Sequence, residues 1–211
     1  MTSQRTRNRM VERLQQQGIQ DSRVLDVMGS VPRHLFMDEA IATRAYEDVA
    51  LPIGGGQTIS QPFIVARMTE ILLGTGSVNK VLEVGTGSGY QAAVLSRLVK
   101  KVYTCERILT LLRKAEERFE RLAFQNIRTR YSDGSWGWPE QGPFDAIMVT
   151  AAPESIPDAL TCQLAEGGRL VCPVGRREGE QLLTVVTRTE DTFNVETGES
   201  VRFVPFLSGK S

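Results

Sequence analysis

The sequence contains a single histidine, His34, among 211 residues. One histidine excludes a metal site built from several histidines and leaves a Ser-His-Asp mechanism with only one possible base. The three cysteines, Cys105, Cys162 and Cys172, are scattered and form no C-x-x-C pair, so neither a disulfide framework nor a cysteine-rich zinc site is expected. In these apolar contexts the cysteines are interpreted as small core residues. We therefore predict no metal site.

The sequence also lacks an excess of charge of one sign and a long run of apolar residues. Lysine plus arginine and aspartate plus glutamate each number 25, so the formal net charge is zero, which counts against a nucleic-acid partner. No segment approaches the ~18 apolar residues of a membrane span. The N-terminus is polar and arginine-rich, unlike the apolar centre of a signal peptide. We expect a cytoplasmic protein that binds neither nucleic acid nor membrane.

From Lys80 onward, the sequence alternates between short apolar runs and helical patterns, which predicts a doubly wound, mostly parallel sheet of the α/β class. Helices are predicted over 10–17, 22–28, 62–73, 90–98, 108–124 and 156–164, and strands over 81–84, 101–105, 126–131, 144–149 and 168–172, with a late antiparallel pair over 181–188 and 193–203. The glycine-rich stretch from Leu51 to Pro62 is predicted to be a loop. We expect a single domain over 1–211, with N-terminal helices and a loop extension (1–75), a core (76–175) and C-terminal strands (176–211).

The segment Val81-Leu82-Glu83-Val84-Gly85-Thr86-Gly87-Ser88-Gly89-Tyr90 predicts a strand, a glycine turn and a helix. Glycine allows a sharp turn and the close approach of a ligand to the backbone. The spacing is G-x-G-x-G, so the dinucleotide fingerprint G-x-G-x-x-G is absent. Glu83 at the strand end would repel a pyrophosphate. The pattern therefore favours a cationic or zwitterionic ligand.

Two further acidic positions follow the next two predicted strands. Glu106 lies 19 positions after Gly87, where a carboxylate can accept hydrogen bonds from both ribose hydroxyls of a nucleotide or of S-adenosylmethionine. Asp133-Gly134 ends the next strand, where an adenine would lie. Taken singly, Glu106 could be a solvated strand end and Asp133-Gly134 a plain turn. Together with the glycine turn they predict a cofactor site.

These segments resemble one known family. The run from Val81 to Ala93 is similar to the first motif of protein-L-isoaspartate (D-aspartate) O-methyltransferases. The resemblance continues in collinear order from about Val31 to Pro205, through Gly56-Gln57-Thr58-Ile59-Ser60-Gln61-Pro62, Asp133-Gly134-Ser135-Trp136-Gly137-Trp138-Pro139, Pro143-Phe144-Asp145-Ala146-Ile147 and Arg202-Phe203-Val204-Pro205. The glycine motif alone is typical of any class I methyltransferase, and the Gln-Thr-Ile-Ser-Gln-Pro loop narrows it to this family. Ser132 departs from the glycine that the family often has there.

The resemblance implies a Rossmann-like, class I methyltransferase fold, with S-adenosyl-L-methionine as methyl donor and S-adenosyl-L-homocysteine as product. It implies methyl transfer to the free carboxylate of L-isoaspartyl and D-aspartyl residues in damaged proteins and peptides, by a monomer. The implied cofactor residues are Glu83, Gly85, Thr86, Gly87, Ser88, Gly89, Glu106, Asp133 and Gly134. The implied substrate residues are Thr58, Ile59, Ser60, Gln61 and Val204, of which Ser60 is the catalytic residue beside the substrate carboxylate.

Four residues have a structural interpretation as well. Ser60 could instead cap the helix that starts near Pro62. His34 is interpreted as a structural residue at a helix or loop junction. Trp136 and Trp138 could stack on adenine, but we favour a role in pinning the loop after Asp133.

Four alternative functions are open at this stage. A nucleic-acid amino-methyltransferase would carry an Asn/Asp-Pro-Pro-aromatic run where this chain has Thr150-Ala151-Ala152-Pro153. A nicotinamide dehydrogenase would need the other glycine spacing. A noncatalytic binding module would keep the fold and lose the activity. A class I methyltransferase could also act on another carboxyl or on a small molecule.

Overall fold

A computed structural model describes residues 4–74, 76–176, 178–190 and 192–211. Its strands are β1 (Leu51–Gly54), β2 (Gln57–Ile59), β3 (Lys80–Val84), β4 (Lys101–Glu106), β5 (Ile127–Tyr131), β6 (Phe144–Val149), β7 (Leu164–Gly175), β8 (Gln181–Thr189) and β9 (Thr192–Val201). Its helices are α1 (Gln4–Gln16), α2 (Ser22–Ser30), α3 (Pro62–Leu73), α4 (Tyr90–Ser96), α5 (Leu109–Arg121) and α6 (Asp158–Thr161). Short 3-10 turns cover Arg33–Phe36, Glu39–Arg44, Gly134–Trp136 and Pro139–Gln141.

Seven strands form one sheet in the order β5-β4-β3-β6-β7-β8-β9. The first five of these run parallel, and β8 and β9 are antiparallel to their neighbours. The order reverses direction between β3 and β6, which is the switch point where ligands bind in open α/β sheets. The predicted doubly wound, mostly parallel fold is confirmed.

The core lies on both faces of this sheet. Successive residues of a strand point to opposite faces, and those of β6 divide between two apolar clusters, Met148 on one side and Ile147 on the other. The larger cluster packs beneath α1 to α5 and includes Met10, Val24 and Leu72. Both faces of β6 are therefore buried, as its continuous apolar run predicts.

The N-terminal segment before the sheet is more ordered than predicted. The stretch over 51–62, predicted to be a loop, contains a hairpin in which Leu51 of β1 pairs with Ile59 of β2. The prediction was wrong because three consecutive glycines with positive φ at 54–56 complete a turn that lets the flanking residues pair. Ile53 and Ile59 are buried beneath it, which anchors the hairpin.

The second half of the chain differs from prediction mainly at one helix. The helix predicted over 156–164 is a single turn, α6, because Pro157 precedes it and β7 already begins at Leu164. Cys105 and Cys172 are buried as predicted, whereas Cys162 is exposed. Over the part of the chain that the structure describes, no helix combines the length and apolarity needed to cross a membrane.

Candidate active site at the carboxyl edge of the sheet

A cleft opens over the carboxyl ends of β3, β4 and β6. One wall is the segment 57–60 with the first turns of α3, and the opposite wall is the glycine turn after β3. The third wall is the segment 204–207, which we call the strap. Residues lining the cleft are Gln57, Thr58, Ile59, Ser60, Ile64, Val65, Met68, Val84, Gly85, Thr86, Gly87, Ser88, Tyr90, Gln91, Cys105, Glu106, Arg107, Ile108, Gly134, Thr150, Ala151, Val204, Pro205, Phe206 and Leu207.

The glycine turn presents bare backbone to the cleft. Gly85 and Gly87 have φ of +103° and +52°, a region that side chains with a Cβ rarely adopt. A Cβ on Gly85 would collide with the Thr150 hydroxyl, which bonds to the carbonyls of Val84 and Gly85. A Cβ on Gly87 would lie 3.4 Å from Ile53 Cδ1. This turn, which we call the glycine cradle, therefore favours glycine at both positions, because a side chain would strain the backbone and crowd Thr150 or Ile53.

Glu106 closes the cradle from the end of β4. Its Oε2 accepts a hydrogen bond from the Gly87 N–H at 2.8 Å, and its Oε1 accepts the N–H groups of Arg107 and Ile108 at 2.9 Å each. Each carboxylate oxygen has two acceptor sites, so Oε2 keeps one for a ligand. The carboxylate is held rigidly at the cleft wall with acceptor capacity to spare.

Glu83 lies behind the cradle and has no exposed surface. Thr104 donates a 2.5 Å hydrogen bond to Glu83 Oε2, and the Thr86 hydroxyl lies 2.6 Å from that of Thr104. Burial raises the pKa of Glu83 to about 8, against the Thr104 hydrogen bond and with a further rise from the Glu106 charge. The protonated form of this carboxyl is therefore favoured, and its Oε2 is linked to Thr86 through the Thr104 hydroxyl.

Asp133 faces the C-terminal segment and is absent from the cleft lining, whereas Gly134 is part of it. Asp133 Oδ1 accepts hydrogen bonds from the N–H and hydroxyl of Ser135, and Oδ2 accepts the Gly209 N–H at 2.6 Å. Burial acts to raise the pKa of Asp133, but the hydrogen bonds from Gly209 and Ser135 outweigh it and lower the pKa. Asp133 thus fixes the chain just beyond the strap.

The residues predicted to bind substrate lie mostly along one wall. Thr58 is exposed, Ser60 is half-buried and Ile59 is buried, and all three line the cleft. No described residue forms a hydrogen bond with the Ser60 hydroxyl, and the helix N-cap is Gln61, without a side-chain bond. The capping role considered for Ser60 is therefore not observed. Gln61 is not part of the lining.

Val204 reaches the cleft as part of the strap. The Ala152 N–H donates to the Val204 carbonyl at 2.8 Å, and the Phe206 N–H donates to the Ala152 carbonyl at 2.9 Å. Buried Gln181 holds the segment from the other side by bonding both the N–H and the carbonyl of Phe203. The loop after β6 and the strap are therefore joined into one wall.

Sequence reasoning missed several residues of this lining. Thr150 directly follows the predicted strand over 144–149 and Arg107 lies two positions after the one over 101–105, so the rule that ligands lie at strand ends could have found them. Phe206 and Leu207 carry no such signal because they come from a segment with no predicted element. Cys105 is buried as predicted but also borders the cleft, and burial raises the pKa of its thiol to about 11.

His34 and the two tryptophans are outside the lining. His34 Nδ1 lies 2.9 Å from the Tyr46 hydroxyl, and burial lowers its pKa. Trp138 packs edge-on against Tyr103 at 5.4 Å between ring centroids. Trp136 is 69% exposed, so its side chain does not pin the loop. None of the three rings is placed to stack on a ligand in the cleft.

Comparison with known proteins gives one family. The family model described as protein-L-isoaspartate(D-aspartate) O-methyltransferase matches residues 4–211. The protein-L-isoaspartate O-methyltransferase of Cellvibrio japonicus is 60% identical over 99% of this chain and 94% of its own length. The protein of the same name from Halorhodospira halophila is 59% identical over 100% of this chain and 95% of its own length.

Solved structures agree with this comparison. A protein-L-isoaspartate O-methyltransferase superposes with a TM-score of 0.86 at 29% identity, over 94% of this chain, which spans 65% of that one. A Plasmodium falciparum protein, described as a putative protein-L-isoaspartate O-methyltransferase in complex with S-adenosyl-L-homocysteine, superposes with a TM-score of 0.82 at 25% identity. The superposition covers 94% of this chain and 96% of that one. The glycine cradle, Glu106 and the wall that contains Ser60 meet in one cleft. The match over the full length shows that the chain belongs to the protein-L-isoaspartate(D-aspartate) O-methyltransferase family.

Proposed function

We propose that this protein transfers a methyl group from S-adenosylmethionine to the free carboxylate of L-isoaspartyl and D-aspartyl residues in proteins and peptides. The observation that carries the proposal is the cleft itself, in which the Ser60 hydroxyl and the glycine cradle line the same cavity. A donor held at the cradle and an acceptor held at Ser60 would meet between them.

The cradle suits the methyl donor in shape and chemistry. Gly85 and Gly87 line the cleft without a side chain, and Glu106 Oε2 has an acceptor site for a ribose hydroxyl. Gly134 and Cys105 border the region beyond Glu106, where we place the adenine. When bound, S-adenosylmethionine supplies a methyl group activated by a positively charged sulfur. We assign cofactor binding to Gly85, Thr86, Gly87, Ser88, Glu106 and Gly134, with Glu83, Gly89 and Asp133 acting from behind them.

The acceptor side needs no general base. A carboxyl group has an ordinary pKa near 4, so at pH 7 it is already an anion and a nucleophile. The Ser60 hydroxyl can donate a hydrogen bond to one carboxylate oxygen and leave the other free to attack the methyl carbon. The work left to the protein is to align the reacting atoms and exclude water. The position of His34 outside the cleft fits this chemistry.

The proposed product explains how methylation would start repair. The methyl ester has a better leaving group than the carboxylate, so the following backbone nitrogen can attack the ester carbonyl and expel methanol. The succinimide ring that forms is opened by water, partly to a normal aspartyl linkage. No further catalyst is required. We also propose a cytoplasmic monomer that acts on protein and peptide substrates rather than on nucleic acid.

The test is a methyl-transfer assay on two peptides that differ only in an aspartyl or isoaspartyl linkage, with labelled S-adenosylmethionine as donor. We expect label to enter the isoaspartyl peptide alone. Equal rates on both peptides would contradict the selectivity and indicate a less selective carboxyl methyltransferase. Absence of donor binding in calorimetry would contradict the activity altogether.

A further inference from the structure

Helix α3 forms one wall of the cleft together with the segment that contains Ser60. The helix lacks a local side-chain cap at its N-terminus. It begins at Pro62, which has no N–H, and the N-cap residue Gln61 forms no side-chain cap. The first four N–H groups of a helix need partners from outside it. Here the Phe63 N–H donates a 2.9 Å hydrogen bond to Asp48 Oδ1, fifteen positions earlier. Asp48 thus does for α3 what a local cap residue does elsewhere.

The Asp48 carboxylate is itself held in place. Its Oδ2 accepts a 2.8 Å hydrogen bond from the Nε2 of Gln17, the residue that follows α1. The negative charge of Asp48 also acts on the guanidinium of Arg33, which is fully buried and donates through Nε to the Ala45 carbonyl at 2.7 Å. Among the described residues, Arg33 Nη1 and Nη2 have no hydrogen-bond partner. The Asp48 carboxylate is thus bonded both to Gln17, just after α1, and to Phe63 in the first turn of α3.

The bond between Asp48 and Phe63 closes the base of the hairpin. Asp48 precedes β1 and Phe63 follows β2, and the two strands pair between them, with Leu51 opposite Ile59. Ser60 lies inside this closed segment, between the last paired residue and the capped helix. Its own hydroxyl is bonded to no described residue, so its position depends on the chain on either side.

We propose that Asp48 is a positioning residue for the acceptor side of the cleft: by capping α3 it fixes Ser60 opposite the glycine cradle. This inference rests on the proposed methyl transfer for its effect on activity, since a displacement of about 1 Å can lower a rate on the order of a hundredfold. We expect a smaller effect on the donor side, because the hydrogen bonds between Glu106 and Gly87, Arg107 and Ile108 do not involve this segment.

Asp48→Ala removes the cap, and Asp48→Asn keeps an oxygen that can accept the Phe63 N–H. Asp26→Ala, at an exposed position of α2, is the control. We expect Asp48→Ala to lower kcat/KM for the isoaspartyl peptide at least tenfold while the Kd for S-adenosylhomocysteine stays within twofold. Asp48→Asn should stay within threefold of the unmodified protein in kcat/KM. Equal losses in both variants, or no loss in Asp48→Ala, would overturn the proposal.

Amide hydrogen exchange over residues 60–66 tests the same proposal without activity. Exchange should be faster in Asp48→Ala and unchanged in Asp48→Asn and Asp26→Ala, and unchanged exchange in Asp48→Ala would overturn the positioning role. If Asp48→Ala does not fold, Gln17→Ala decides, since it removes the second anchor: faster exchange supports the role and unchanged exchange opposes it. An unmodified protein inactive on the peptide would contradict the proposed function alone.

Discussion

The backbone N–H of Gly87 donates a 2.8 Å hydrogen bond to Glu106 Oε2, which locks the tip of the glycine turn to the end of β4. The glycine turn and the end of β4, which we assign to the same ligand, are therefore held together by a hydrogen bond within the protein. Such preorganisation reduces the ordering that binding would otherwise require. Glu106 thus holds the glycine turn in place, and it is also the residue to which we assign the ribose hydroxyls of the donor.

Glu106→Gln should weaken donor binding. The substitution replaces one carboxylate oxygen by an NH₂ group. If Oε2 is replaced, this donor faces the Gly87 N–H; if Oε1 is replaced, it faces the N–H groups of Arg107 and Ile108. In either case two hydrogen-bond donors point at each other. Charge-assisted hydrogen bonds are also roughly twice as strong as neutral ones. We expect the Kd for S-adenosylhomocysteine to rise at least tenfold, about 1.4 kcal/mol, in calorimetry. Glu116→Gln, on the surface of α5, is the control, and a similar rise there would refute the assignment.

Gly87→Val should distort the cradle. The substitution places a branched side chain toward Ile53 and forces a β-branched residue to φ +52°, a strained conformation. We expect at least a tenfold loss of donor affinity in a folded protein. Gly18→Val is the matched control, because Gly18 also has positive φ, at +103°, but has open space around it. If both variants keep full affinity, the glycine turn is not part of the site.

Ser60→Ala should slow methyl transfer and spare donor binding. The hydroxyl is assigned to the substrate carboxylate, and it bonds to no described residue, so its removal leaves the fold intact. We expect a fall in kcat/KM of roughly tenfold, about the contribution of a hydrogen bond to a charged group. Rate assays on the isoaspartyl peptide and calorimetry with S-adenosylhomocysteine measure the two effects. Ser200→Ala on exposed β9 should change neither, and parallel losses of rate and donor affinity in Ser60→Ala would place the hydroxyl on the donor side.

Glu83 should make the folded state less stable as the pH rises. Burial raises the folded pKa of Glu83 to about 8, above its ordinary value of 4.5. Between these two values the folded state holds a proton that the unfolded chain releases, so the free energy of unfolding falls with increasing pH, by up to about 1.4 kcal/mol per pH unit from this group. Glu83→Gln, which imitates the protonated form, should flatten this slope.

Denaturant unfolding at pH 5, 6, 7 and 8 measures the Glu83 effect. Glu116→Gln provides the baseline, since Glu116 lies at the surface and bonds to Thr129. A slope in Glu83→Gln as steep as in the unmodified protein would show that another group titrates in this window.

The sequence was sufficient for the sheet and for the glycine turn. Strands buried on both faces, such as β6, are continuous apolar runs, and the G-x-G-x-G spacing marks the turn without any tertiary information. The hairpin over 51–59 was missed because its pairing depends on three glycines adopting positive φ together, which composition alone does not distinguish from a loop. The burial of Ile53 and Ile59, which anchors the hairpin, is a tertiary effect.

Side-chain partners were harder to predict than positions. Asp133 was expected to face a ligand, yet its hydrogen bonds go to Ser135 and Gly209, and the second of these depends on where the chain goes after the strap. The contact of Asp48 with α3 was not predicted, because its partner Phe63 lies fifteen positions away in that helix. Contacts of this kind are set by the three-dimensional arrangement of segments and leave no local pattern.

The strap also bears on how the protein acquires its site during folding. The walls of the cleft come from positions as far apart as Gln57 and Leu207, and contacts at such long sequence separation form slowly because the chain between them must be ordered first. The hydrogen-bonded pair of β3 and β4 is much more local. The sheet is therefore expected to form before the pocket closes, so that competence to bind a ligand arrives as one of the last events of folding.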